Sequence, residues 1–258
     1  MSISRFARRH RRALIAGVVP LLLWMTAVDG VRVAPWFAHG QAVATVVCLA
    51  YWALLAAAGS KRLRRLMVIG IIAATAGEVL FSLGLGMYEY REHWIPLYVP
   101  PGHTVLYAAV FLWVRLPWVR RHSRALLPGL LAVGAAYSIA QWRLLADDYG
   151  FACFLVFAVL LAAIRGSRLF FAAMYLLVAW LEQVGTGSGA WAWPAQLLGK
   201  AHGLSSANPP SGVAVFYCLF DLSCLAMYFG WRFKTFERWV QRLVFRRGLK
   251  RRTAEQMG

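Results

Sequence analysis

Three carboxylates and one histidine stand in or beside apolar stretches of the chain: Glu78, Glu182, Asp221 and His103. An ionised group inside a bilayer costs several kcal/mol and normally faces a bundle interior or a wet cavity. A carboxyl group in such a low-dielectric setting is suited to general acid work near neutral pH. Two carboxyls brought together share protons and titrate as a pair. Protonation of an apolar, electron-rich substrate and binding of a cation are both open to such a set. A structural use is the third possibility, with each glutamate protonated and hydrogen-bonded between helices to specify the fold.

These groups need elements to hold them, and the composition dictates which kind. Sixty per cent of the 258 residues are hydrophobic (60%) and the mean hydropathy is positive. The apolar residues come in runs of roughly 16 to 23, close to the length a helix needs to cross lipid. The runs lack a polar face and lack alternation of period two, so an all-α polytopic membrane protein is expected. Eight spans are read at 13–28, 39–59, 66–88, 100–118, 125–146, 149–164, 169–190 and 213–231. The first follows a basic start and lacks a small-x-small cleavage site before Asp29, which marks it as an uncleaved span. Arg143 lies one helical turn before Asp147, a spacing that allows an ion pair.

The net charge of +18 would point to nucleic acid in a soluble protein. Its distribution points instead to topology. All Lys and Arg residues except Arg32, Arg91, Arg115, Arg143 and Lys200 fall in clusters between alternate apolar runs. By the positive-inside rule, both termini are then cytoplasmic in an inner or plasma membrane, and no nucleic-acid partner is expected. The basic tail from Arg232 spaces Phe233, Phe236, Trp239, Leu243 and Val244 as a surface helix would, resting on anionic inner-leaflet lipids. Cys48, Cys153, Cys218 and Cys224 all lie in apolar runs without a Cys-x-x-Cys pair and read as small buried hydrophobes.

Similar segments end the third and seventh runs. Glu78 precedes Gly84, Gly86, Tyr88 and Tyr90; Glu182 precedes Gly187, Gly189, Trp191 and Trp193. Pro100, Pro101 and Gly102 open the fourth span as Pro209, Pro210 and Gly212 open the eighth. This order suggests a parallel duplication, with halves at 1–122 and 123–231 before the tail at 232–258, in one integral membrane domain. Residues Tyr88, Tyr90, Trp94, Trp191, Trp193 and Asn208 would line the outer mouth and bind a membrane lipid or hydrophobic small molecule; membership of an interfacial aromatic belt is the plainer use of the tryptophans. Rise per residue puts Glu78 and Glu182 about 18 to 21 Å from the inner surface, with Asp221 at similar depth and His103 above them. Loop residues Glu89, Glu92, His93 and His202, with His103, do not have the spacing of a metal motif, so neither metal nor cofactor is assigned.

The run through Glu78, Gly84, Gly86, Tyr88, Tyr90, Trp94, Pro96 and Pro100 resembles the carotenoid hydratase family of integral membrane proteins over roughly 25 residues. The two-proline turn with His103 and the Asn208 loop depart from that pattern. The resemblance implies water addition across an isoprenoid double bond, for which Glu78, Glu182, Asp221 and His103 are the candidate catalytic groups. A proton- or ion-coupled transporter, a lipid-binding protein and a membrane assembly partner are the alternatives.

Overall fold

A computed structural model describes residues 2–164, 166–197 and 203–230. The chain begins with α1 (Ile3–Arg9), α2 (Arg11–Ala16) and α3 (Val18–Asp29), followed by α4 (Gly40–Ala58) and α5 (Lys61–Glu78). A π-helical segment, Val79–Gly84, extends α5 and leads into β1 (Glu89–Tyr90). Next come α6 (Val99–Trp113), α7 (Pro117–Arg121), α8 (Ser123–Leu145), α9 (Asp148–Ala163) and α10 (Arg168–Ser188). The remainder comprises β2 (Trp191–Ala192), β3 (Gln196–Leu197), β4 (Leu204–Ser205) and α11 (Ala214–Gly230). The expected surface helix of the tail, together with Lys200 and His202, lies outside the described residues.

All eight apolar runs are helical, but their lengths differ from the expectation of eight full spans. Among the described residues, five helical stretches are long and apolar enough to cross a membrane: Arg11–Asp29, Gly40–Ala58, Lys61–Gly84, Ser123–Leu145 and Arg168–Ser188. Helices α6, α9 and α11 have 15, 16 and 17 residues. At 1.5 Å per residue these reach about 23 to 26 Å, short of a hydrocarbon core of about 30 Å. The fourth expected span is cut because Leu116 adopts an extended conformation before Pro117, which starts α7.

Local chemistry sets the helix ends. The Ser60 side chain accepts from the Leu63 amide at 3.2 Å and starts α5. Pro100 and Pro101 occupy the first turn of α6, where a missing amide hydrogen is harmless. Gly189, at φ +73°, closes α10, and Gly86, at φ +58°, turns the chain after the π-helical segment. Both are left-handed positions that glycine adopts without a Cβ penalty.

The core centres on α10, half of whose apolar window is buried (50%), against 11% for α8 at the periphery. α10 packs on α3, α8, α6 and α11, while α5 packs on α6 and α11. Strands β1 and β2 then form an antiparallel ribbon, with Glu89 opposite Ala192 and Tyr90 opposite Trp191. This ribbon joins the segments that follow the two buried glutamates.

Two further aspartates tie loops to helix ends. Buried Asp29, at the end of α3, accepts from Tyr98 Oη (2.5 Å), Gln41 Nε2 (2.8 Å) and Arg91 (3.1 Å). Buried Asp147 begins α9 and accepts the backbone amides of Gly150 (3.1 Å), Ala207 (3.0 Å) and Ser211 (2.7 Å). The expected Arg143–Asp147 ion pair does not form. Arg143 lies over the Trp142 ring, 4.4 Å from its centroid, and Asp147 turns inward to donors it could not meet from the surface.

Candidate functional site

Glu78 is the last residue of α5, and the π-helical segment begins at the next position. Such wide turns change the direction of the following side chains and often occur at functional sites. Here Phe81 comes to face α11, where it packs on Phe216 (5.1 Å between ring centroids) and Phe220 (5.9 Å). Gly77 makes room for this arrangement, because a Cβ there would stand 1.8 Å from the Phe220 ring.

The chain turn at Gly86 brings Tyr88 and Tyr90 back onto Glu78. Both hydroxyls donate to Oε2, at 2.6 and 2.7 Å. Nε2 of His103, about one turn into α6, stands 2.8 Å from Oε1. With Nε2 as donor, three donors serve the carboxylate, two on Oε2 and one on Oε1, and Nδ1 of His103 keeps its lone pair. Nδ1 has no hydrogen-bond partner among the described protein groups. The His103 ring stacks on Tyr217, 4.6 Å away and tilted by 14°. Burial and the neighbouring Glu78 carboxylate push both phenols, Tyr88 and Tyr90, well above their usual range. They remain protonated donors at physiological pH.

Glu182 lies on the buried face of α10 and is served in the same way by tryptophans. Nε1 of Trp191 donates to Oε2 at 2.8 Å and Nε1 of Trp193 donates to it at 3.1 Å. Its other oxygen, Oε1, has only Tyr217 Oη at 3.5 Å. An indole nitrogen can only donate, so Oε2 must be an acceptor and Oε1 is the oxygen able to carry or release a proton. Gly185 permits this geometry, since a Cβ would fall 1.9 Å from the Trp191 ring.

Both carboxylates line one cavity of about 70 Å³. Its walls include Leu22, Met25, Phe81, Tyr88, Trp193 and Tyr217, so most of the lining is apolar or aromatic. The volume exceeds what one water requires, about 10 to 15 Å³ on this measure, but is under half of the 150 Å³ that accepts benzene in an engineered core. The cavity therefore suits the end of a chain rather than a whole lipid.

Of the residues expected to form the site, Glu78, His103, Glu182, Tyr88, Tyr90, Trp191 and Trp193 come together. His103 is level with Glu78, not above it, because α6 runs beside α5 and directs the ring to the carboxylate. Trp94 is exposed (63%) and faces a separate pocket with Arg91 and Pro96, so it does not line the cavity. Asn208 is also outside: its Oδ1 accepts the Trp193 amide at 3.0 Å and positions that residue. Asp221 borders a smaller neighbouring hollow. The loop carboxylates have local partners, Glu89 with His93 at 2.5 Å and Glu92 with Arg91 at 2.6 Å. Among the described residues no group of three or more His, Cys, Asp or Glu side chains is placed to hold a metal.

Tyr217 is a cavity residue that the sequence reading did not single out. Its one available signal was the four-residue spacing to Asp221, which puts both on one face of α11. No protein-family model, curated protein or solved structure matches the chain.

Proposed function

We propose that the protein is an intramembrane enzyme that acts on the unsaturated end of a lipid or isoprenoid by acid–base chemistry, with addition of water as the reaction. One observation carries this reading: two carboxylates from separate helices face the same aromatic cavity with different hydrogen-bond sets. Glu182 Oε1 is available to give a proton to an alkene carbon. Glu78 orients His103, leaving Nδ1 to take a proton from the attacking water. The alkene gains hydrogen at one carbon and hydroxyl at the other, so no further reactant is required. The faces of Tyr88, Trp193 and Tyr217 favour the intermediate cation through their π-electrons.

The site is proposed to lie in the outer half of an eight-span inner-membrane or plasma-membrane protein with cytoplasmic termini. In that arrangement the three shorter helices cross within a bundle where neighbouring longer helices shape the bilayer. A parallel duplication is supported by three correspondences: left-handed Gly86 and Gly189, the paired aromatic donors on each glutamate, and the loop-tying roles of Asp29 and Asp147. The same correspondences favour a second reading as a proton-coupled transporter, because repeats commonly enclose midplane sites.

The test is to purify the protein in mild detergent, identify co-purifying lipids by mass spectrometry and supply polyunsaturated isoprenoids in proteoliposomes. A product heavier by one water is expected, with Glu182→Gln and Glu78→Gln each reducing turnover by about 100-fold or more. Unchanged turnover in both variants overturns the acid–base assignment. Movement of an unaltered lipid under a proton gradient would establish transport instead.

A further inference from the structure

Below the glutamate cavity is a hollow of about 20 Å³, bordered by Asp221, Thr104, Tyr107 and Cys224. His103, Tyr217 and Phe220 contribute to the walls of both spaces. Asp221 is 7% exposed, and its Oδ2 has no hydrogen-bond partner among the described residues. A buried carboxyl oxygen without a partner carries the full penalty of its lost hydration. The hollow has room for one water on the measure that requires about 10 to 15 Å³.

Thr104 supplies a second anchor. Its hydroxyl accepts from Trp52 Nε1 at 2.8 Å and donates to the Pro101 carbonyl at 2.9 Å, leaving one lone pair. Gly70 holds this wall close: a Cβ there would come 2.7 Å from Thr104 Cγ2. The titratable groups facing the hollow are Asp221, Tyr107, His103, Tyr217 and Cys224, with Cys218 adjoining Asp221 and Arg62 and Arg115 acting electrostatically on Tyr107.

We propose that this hollow binds one water molecule, held by Asp221 Oδ2 and Thr104 Oγ1, through which Asp221 exchanges a proton with His103. The imidazolium releases the proton carried on Nδ1 to the water, and the water passes one of its own to the Asp221 carboxylate. The reverse transfer restores both groups, and no other reactant takes part. The use of this relay in turnover rests on His103 being the base of the larger cavity. The bound water and its coupling do not depend on that role.

The experiment is infrared spectroscopy of the full-length protein in nanodiscs, in ordinary water and in H2-18O, combined with NMR of 15N-labelled histidine. The native protein is expected to show an isotope-sensitive O–H band from one confined water. Both Asp221→Asn and Ala74→Val should abolish it, the latter by placing two methyl groups in the hollow that Ala74 also lines. The same two variants should slow exchange of the His103 ring proton at least tenfold. Glu182→Gln should leave band and exchange intact even if it stops turnover, which separates failure of the relay from failure of the enzyme assignment. An unchanged band or exchange rate in folded Ala74→Val overturns the proposal. A shift of the Asp221 carboxylate band on adding Na+ alone would also overturn it, by making the hollow a cation site.

Discussion

Tyr90 and Trp191 face each other across the β1–β2 ribbon, and each hydrogen-bonds the glutamate that precedes it in its own part of the chain. Their rings are 6.2 Å apart at a steep angle of 67°. The ribbon thereby fixes the two carboxylates relative to one another through their donors. Helix packing positions the glutamate backbones; the ribbon orients the side chains.

The tryptophan donors should therefore be structural as well as functional. Trp191→Phe and Trp193→Phe each leave Glu182 short of a donor. Each is expected to lower unfolding free energy by about 1 to 3 kcal/mol, the cost of leaving a buried acceptor without its donor. Trp94→Phe, at an exposed position, should change stability by less than about 0.5 kcal/mol. Thermal unfolding in one detergent compares the three, and equal effects would show that the indole donors contribute nothing.

Two glycines of α10 should respond in opposite directions. At Gly185 a Cβ collides with Trp191, so Gly185→Ala is expected to cost about 1 to 3 kcal/mol or more through overpacking. At Gly187 a Cβ meets nothing within 4 Å. Gly187→Ala should gain up to about 1 kcal/mol from helix propensity. Unfolding midpoints measured side by side would reveal a general intolerance of α10 to alanine if both fell.

Alkaline pH should weaken the segments that carry Tyr88, Tyr90 and Tyr98. Burial raises the phenols of Tyr88, Tyr90 and Tyr98, with Glu78 adding to the first two and Asp29 to the third. The folded protein keeps protons that the unfolded chain releases near pH 10. Stability is complete below that pH and falls as pH rises above it. Tyr88→Phe should reduce this slope in a pH series of unfolding midpoints, and an unaltered slope would assign the loss to other groups.

Asp147 and Arg143 should differ sharply although they are near neighbours in sequence. Asp147→Asn replaces a carboxylate that accepts three backbone amides with a group that itself carries donors. A loss of about 3 kcal/mol or more is expected from the unsatisfied amides. Arg143→Ala should cost less than about 1 kcal/mol because no ion pair is lost. Detergent unfolding again reads both, and a large Arg143 effect would argue for an Asp147 partner in the native membrane.

Much of the site was legible because polar residues are rare in apolar helices and each one requires a reason. That logic selected Glu78 and Glu182, and the segments after them drew attention to Tyr88, Tyr90, Trp191 and Trp193, but as mouth-lining residues; that they donate to the glutamates emerged only in the structure. It could not place Trp94 or Asn208, because loop direction depends on tertiary contacts. It also missed Tyr217, since a tyrosine in an apolar run is an ordinary core residue until a carboxylate faces it. Asp29 and Asp147 were visible as charges at helix ends, but their loop-tying roles depend on donors 69 and 60 residues away.

By itself the sequence determined the helical class and the approximate helix positions, because hydropathy and the need to satisfy every backbone group act locally along the chain. It also set the glutamate, glycine and aromatic order at the ends of α5 and α10. Tertiary structure alone decided that those two segments pair, that His103 serves Glu78, and that Asp221 occupies its own hollow. These are through-space relations: the 2.8 Å contact of His103 with Glu78 depends on where α5 and α6 cross, which no local spacing specifies.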